Sequence, residues 1–353
     1  MNRFLAIQGL IALLLLIAAT FLFSSGKRDA GNQQIEATRL MNESLLVIET
    51  HARKHNLIAA KDIDPWQTGL IGPEWSEITT TVGHPEAKRT TLNPAWAQLM
   101  VKLMREAGVK GGDTIALGCS GSFPALMIAA LSAARAMQLH TRTIVSVGSS
   151  SFGASNPQFT ILDIYAILYE EGLVTEPLAG CSPGGDEDLG SGFDPAVRDE
   201  LINRLNDSGI RVILEPHLPD NVQKRMKIYE GDRPGSVKLF VSTGGSLPNL
   251  GSSAMALTLR PGLIRKARMP DPLQRGMTHT FIDREVPVIH LLNIRQLASR
   301  YDIPWDPVTR PGMAPTSIPE GNEKRVMKIL ISLLFLSYFA WIMVRAQMLK
   351  NSP

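Results

Sequence analysis

At 353 residues the chain is long enough to bury a substantial core in one large or two modest domains. A formal charge of only +3, with Lys and Arg scattered along the sequence, argues against a nucleic-acid binder. Two cysteines, Cys119 and Cys181, exclude a disulfide framework and a cysteine-rich metal site. They can pair in an oxidising compartment, although two free, buried thiols is the plainer reading.

The chain begins with an apolar run, Phe4–Phe23, broken only by Gln8, Gly9 and Thr20 and long enough to cross a hydrocarbon core. A signal peptide is the rival reading, with Arg3 in front, but no small-x-small cleavage site follows. The expectation is therefore an uncleaved transmembrane anchor over 1–26. Residues 27–92 read as a linker helix and an irregular arm. Ile35, Leu40, Leu45, Leu46 and Ile48 recur at helical spacing within Gly31–Asn56. In Ala59–Leu92 the prolines, the glycines and a Thr79–Thr81 run predict loops and one short extended piece.

The domain proper is expected over 93–303. Asn93 caps a helix that Pro94 opens and Gly108 ends. The stretch Thr114–Leu126, TIALGCSGSFPAL, follows: a strand Thr114–Leu117, a tight glycine/serine loop Gly118–Ser122, and a helix over Ser122–Leu139 with Pro124 in its first turn. This corner recurs in Val237–Leu250, VKLFVSTGGSLPNL, where Gly245–Leu250 repeats Gly121–Leu126 and leads into a helix over Ser246–Leu259. A strand Thr143–Val147 enters a third glycine/serine loop, Gly148–Ser155. Further helices are predicted at Phe159–Glu171, Pro195–Leu205 and Asp220–Tyr229, and strands at Gly209–Leu214 and Val286–Leu292, with a loop over Pro261–Gly276. The acidic loop Gly180–Asp188 matches no complete calcium loop and reads as a solvated turn or a helix cap.

Strands alternating with helices at these intervals predict an α/β fold, a mostly parallel sheet with helices on both faces, in which the repeated corner suggests pseudo-symmetry. Functional groups are then expected at the carboxyl ends of strands. A proline-rich connector, 304–325, leads to a second apolar run, Ile329–Val344, between Lys328 and Arg345. It reads as a C-terminal transmembrane helix over 326–345, or else as a buried C-terminal helix. Two spans imply a cell-membrane location. Lys27, Arg28, Lys324, Arg325 and Lys328 against Arg3, Arg345 and Lys350 lean towards a cytoplasmic domain; a signal-anchor gives the opposite, and the side stays open.

A glycine/serine corner presents backbone N–H groups at a helix amino terminus, where a carboxylate or phosphate fits. The ligand set read from the corners is Gly118, Gly121, Ser122, Ser149, Thr243, Gly244, Gly245 and Ser246. Pro124 and Pro248 remove one donor from each corner. Neither GxxxxGK[ST] nor GxGxxG is present, so no nucleotide cofactor is expected.

Gly118-Cys119-Ser120-Gly121-Ser122 also approximates a nucleophile elbow with Ser120 at its tip. His217, His279 and His290 are candidate bases and Asp163, Glu215 and Asp283 candidate acids; Ser120…Glu215…His290 is one admissible order. Gly244 stands where the second corner would repeat Ser120. Cys119 offers a thiolate near a helix amino terminus, with Thr243 in its place in the second corner, yet both residues also suit a packed turn. Three scattered histidines make no zinc motif.

The pattern of an N-terminal anchor, glycine/serine corners around Gly118–Ser122 and Gly244–Asn249, and a C-terminal hydrophobic span resembles the bacterial poly-gamma-glutamate system proteins. The resemblance implies a part in making, exporting or processing a gamma-linked glutamate polymer, with no catalytic residues to carry over. Two expectations follow. In the first, an accessory membrane protein binds the polymer, its glutamate-containing precursor or the synthase membrane subunits. In the alternative, a gamma-glutamyl hydrolase or transferase uses Ser120 or Cys119 as nucleophile. A homodimer through alanine-rich helices or anchor spans is compatible with either.

Overall fold

The structure, a computed structural model, describes residues 29–252, 256, 258–310, 337, 338 and 341. The chain divides into two units, Asn32–Ser317 and Met1–Gly31 with Ile318–Pro353. In the second, Ser337, Tyr338 and Trp341 are helical, and the Tyr338 and Trp341 rings stack with centroids 6.2 Å apart.

The larger unit is built on strands β1 (Thr79–Thr81), β2 (Thr114–Ser120), β3 (His140–Ser146), β4 (Ser149–Ser150), β5 (Gly180–Ser182), β6 (Val237–Thr243), β7 (Gly262–Ile264) and β8 (Val288–Leu291). Six of them form one sheet in the order β5-β3-β2-β6-β8-β7, parallel except for the edge strand β7; β1 and β4 pair separately. The central strands are apolar on both faces, as burial under two helix layers requires. One face, carrying Ala116, Ile144, Phe240 and Val288, is covered by α7 (Leu218–Glu230) and α9 (Met277–Asp283), where Tyr229, Phe240 and Phe281 meet ring to ring. Helices α3 (Ala95–Ala107) and α4 (Pro124–Ala136) pack together on the other side. The remaining helices are α1 over 29–54, α2 (Pro85–Thr91), α5 (Ile161–Glu170), α6 (Pro195–Asp207), α8 (Leu247–Leu250) and α10 (Ile294–Arg300).

The mostly parallel α/β core stands as expected. The flanking transmembrane helices and the cell-membrane location drawn from them do not: among the described residues no helix is long and apolar enough to cross a membrane. The runs Phe4–Phe23 and Ile329–Val344 lie outside the described residues, apart from Ser337, Tyr338 and Trp341. Helix α1 is no bare linker either. Ala37, Leu40, Met41, Leu45, Ile48 and Ala52 form its buried stripe, and Thr38 Oγ1 accepts a hydrogen bond from Gln98 of α3 at 3.0 Å.

Several boundaries moved for local reasons. Strand β2 runs through Gly118 and Cys119 to Ser120, because parallel neighbours on both sides extend the ladder over what reads as a loop. Gly118 is tolerated there because the Asn249 side chain fills the space a Cβ would take. In the second corner the described residues include the short helix α8, ended by Gly251 at φ +83°, with Ala256 again helical. Of the strand expected at Gly209–Leu214 only a bridge from Val212 to Cys181 remains. Inside the supposedly irregular arm the structure has a helix, α2, opened by Pro85.

Candidate active site

The ends of β2, β3, β5, β6 and β8 empty into one cavity of about 1210 Å³. Its wall is lined by the serines Ser120, Ser122, Ser146, Ser150 and Ser246, and by the glycines Gly148, Gly184, Gly185, Gly245 and Gly251. Lys88, His84 and Glu86 enter from α2 and its cap, Asp186 and Glu187 from the loop after β5, and Arg295 and Trp305 from beyond β8. The Arg295 guanidinium lies 5.3 Å from the Trp305 ring centre. A site at strand carboxyl ends is where an open parallel sheet places its ligands.

Parallel register sets the floor. Ser120, Ser146 and Ser182 stand side by side at the last positions of β2, β3 and β5. Ser146 and Ser182 donate to Asp188 Oδ1 at 3.0 and 2.9 Å, and Arg225 from α7 donates to Asp188 Oδ2 at 2.7 Å and to Ser182 Oγ at 2.8 Å. Asn221 adds a bond to Asp188 at 3.1 Å and accepts from Arg225 Nε at 2.8 Å. The Arg225–Asp188 pair is fully buried, so its charges rely on this network for solvation. Ser120, 3 % exposed, stays outside it: its Oγ has no partner among the described residues.

Lys88 is the unusual group. It is 3 % exposed, and its Nζ donates to the Ser122 carbonyl and, at 2.7 Å, to Ser150 Oγ, while sitting 3.8 Å from the centre of the Phe123 ring. Among the described residues no carboxylate pairs with it. Burial without a counter-ion pushes its ammonium down to about 7. Three ties hold α2 in place: Arg89 grips Asp306 at 2.6 and 2.7 Å, the Asp306 N–H donates to Thr90 Oγ1 at 2.9 Å, and Trp96 Nε1 donates to the Thr90 carbonyl at 2.9 Å. Ser150 is fixed in turn by its pairing with β1 and by its N–H, which donates to Ser122 Oγ at 3.0 Å.

The residues named from sequence separate into three groups. Ser120, Ser122, Gly245 and Ser246 line the cavity. Gly118, Gly121, Ser149 and Gly244 shape it from behind: Gly121 donates to the Ser146 carbonyl at 3.0 Å, Ser149 Oγ donates to the Ser150 carbonyl at 2.8 Å, and a Cβ on Gly244, at φ +86°, would collide with Ser120 Oγ. Cys119 and Thr243 pair in register, fully buried on the side of the sheet away from Ser120. Both cysteines are free, and burial pushes the Cys119 thiol up to about 12, the reverse of an activated thiolate.

The triad order is not assembled. Glu215 pairs with Lys224 at 2.8 Å. His290 sits on β8 in register with Ser242 and Gly118, two strands from β2 and hence about 10 Å across. Its Nδ1 has no partner among the described residues, and burial, with His279 nearby, pushes it down to about 4. His279 is equally buried, and neither of its nitrogens has a partner among the described residues. Among the described residues no three His, Cys, Asp or Glu side chains group to hold a metal ion.

Sequence reasoning missed Lys88, Ser146, Ser150 and Arg225. Ser146 and Ser150 fall within or beside the third glycine/serine loop and were open to selection. Lys88 had no signal, since a lone lysine in a polar arm reads as solvent-facing. No protein-family model, curated protein or solved structure matches the chain. The membrane-accessory reading therefore gives way: it drew on the two spans together with the glycine/serine corners, and what the described residues contain is a cavity lined by serines, a buried lysine and a Ser/Asp/Arg network, with no helix long and apolar enough to cross a membrane.

Proposed function

We propose that the chain is an acyl hydrolase or acyl transferase that works through a serine on the strand-end loops, and that a gamma-glutamyl amide is a substrate class to try first. One observation carries the reading: serines from β2, β4 and the corner between β2 and α4 line one cavity whose wall also includes glycines. A serine ester intermediate divides a difficult amide cleavage into two easier steps. Glycine backbone on the wall offers N–H donors to the developing oxyanion without side chains in the way. Cys119 is set aside as nucleophile because its thiol neither faces the cavity nor ionises near neutrality. The gamma-glutamyl preference comes from the resemblance in sequence pattern alone.

The test is turnover by the purified full chain on gamma-glutamyl p-nitroanilide and on a panel of simple acyl anilides, esters and thioesters, following both released leaving group and carboxylic acid. Turnover abolished by an alkyl fluorophosphonate supports the reading. Absence of turnover on every acyl class, together with no fluorophosphonate adduct on the folded protein, removes it.

A further inference from the structure

The geometry points to Ser150 as the nucleophile of this site and Lys88 as its general base, a serine–lysine pair in place of a Ser-His-Asp relay. The inference rests on the acyl-transfer reading and names its catalytic residues. It stands on contact: Lys88 Nζ lies 2.7 Å from Ser150 Oγ, both residues line the cavity, and among the described residues no other serine on the wall has a basic side chain within hydrogen-bond reach except Ser146 of the buried Arg225 network. Arginine stays protonated and cannot serve as a base. Ser120, the residue singled out by the elbow pattern, has no hydrogen-bond partner among the described residues.

The lysine is suited to the role by its surroundings. Phe123, Ser122 and Ser150 enclose its head, and desolvation alone accounts for its lowered proton affinity. The titratable and charged groups facing the same cavity are His84 and Glu86 from its own helix and cap, Asp186 and Glu187 from the loop after β5, and Arg295 beyond β8. None of them forms an ion pair with it. Near neutrality a substantial fraction of Lys88 is therefore the free amine, as a general base requires.

In the acylation step, neutral Lys88 takes the Ser150 hydroxyl proton as Oγ bonds to the substrate carbonyl carbon. The tetrahedral oxyanion then collapses, the C–N bond breaks, and the Lys88 ammonium returns the proton to the departing amine. Water, or an acceptor amine in transfer, attacks the Ser150 ester with its proton passing to Lys88. Ser150 leaves and recovers that proton, giving carboxylic acid or a new amide. The roles repeat what lysine does in other serine–lysine pairs.

The experiment is fluorophosphonate labelling of the full chain, with the adduct mapped by peptide mass spectrometry and its rate measured from pH 5.5 to 9.5. The expected adduct is on Ser150, with a labelling rate that rises through a midpoint near pH 7 and falls at least about 100-fold in Lys88→Met and Lys88→Arg, in line with the usual worth of a general base. The arginine variant keeps a buried cation and donor but no base, so it separates proton transfer from packing; circular dichroism checks that both variants fold. An adduct on Ser120 or another wall serine overturns the Ser150–Lys88 assignment and leaves serine acyl transfer standing. Adduct on Ser150 at an undiminished rate in both lysine variants overturns the base. No adduct on any serine of the folded protein overturns the assignment and, with no turnover, the acyl-transfer reading as well.

Discussion

Replacing Lys88 by methionine should make the protein more stable at pH 7 while removing its activity. Methionine has about the same length, keeps a contact with the Phe123 ring, and carries no charge to desolvate. A lysine that titrates at about 7 instead of its ordinary 10.5 costs the fold about 5 kcal/mol at low pH, at about 1.4 kcal/mol for each tenfold change in proton affinity. Against this, the variant leaves the Ser122 carbonyl without its donor, a loss of about 1–3 kcal/mol, while the Ser150 hydroxyl is free to rotate. The net expectation at pH 7 is a gain of about 2–4 kcal/mol.

The pH dependence makes this test sharp. Between pH 7 and 10.5 the unfolded wild-type chain holds a proton on Lys88 that the folded chain has lost. Wild-type stability therefore rises by about 1.4 kcal/mol per pH unit across that window and is flat below it as far as this group is concerned. In the variant this rise is absent, so its advantage shrinks with pH and reverses as the lost hydrogen bond becomes the larger effect. Urea unfolding of both full-length proteins from pH 6 to 10 reads the difference directly, because every other titrating group cancels between them. Two stability curves that run parallel over the whole range would refute a desolvated Lys88.

Further outcomes follow from the same contacts. Arg225→Met should destabilise by about 3–5 kcal/mol in urea, because Asp188 is then buried with its charge unpaired; Arg225→Met with Asp188→Asn should recover part of that loss. Gly244→Ala places a Cβ at φ +86° against Ser120 Oγ and should cost about 3 kcal/mol or more, of which Ser120→Gly in the same chain relieves the collision but not the backbone strain. His290 titrates at about 4 when folded and at 6.5 when unfolded, so stability should fall by about 3 kcal/mol as pH drops from 6.5 to 4, a loss that His290→Gln lacks. Cys119 should resist iodoacetamide at pH 8 in the folded protein and react once unfolded in guanidinium, as judged by mass.

What could be read from the sequence was what depends on local pattern. The alternation of apolar strands with helices gave the parallel core, and Asn93, Pro94 and Gly108 marked both ends of α3. The glycine/serine loops correctly indicated strand ends, so Ser120, Ser122, Gly245 and Ser246 were named and do line the cavity. The failures are failures of pairing. Whether β2 stops at Leu117 or continues to Ser120 is decided by its partners on β3 and β6, 26 and about 124 residues further along, and nothing within Thr114–Ser122 records them. Lys88 was invisible because its burial comes from partners at Ser122 and Ser150, reached only after the chain has folded back over β3 and β4. The Asp188–Arg225 pair was hidden likewise: the acidic loop read as solvated, since the arginine that meets it lies on another element.

The repeated corner has a physical meaning that differs from duplicated binding. Strands β2 and β6 are direct neighbours, so the two corners lie side by side with Cys119 against Thr243. At two other places where they touch, one corner supplies a side chain and the other a glycine: Ser120 occupies the space over Gly244, and Asn249 occupies the space over Gly118. A serine at 244, repeating Ser120, would contest the space that Ser120 Oγ fills. The departures from the repeat are therefore what let the two halves interlock. With Ser120 confined between β3 and Gly244, the hydroxyl in contact with a lysine is that of Ser150, delivered by β4 to Lys88 of α2.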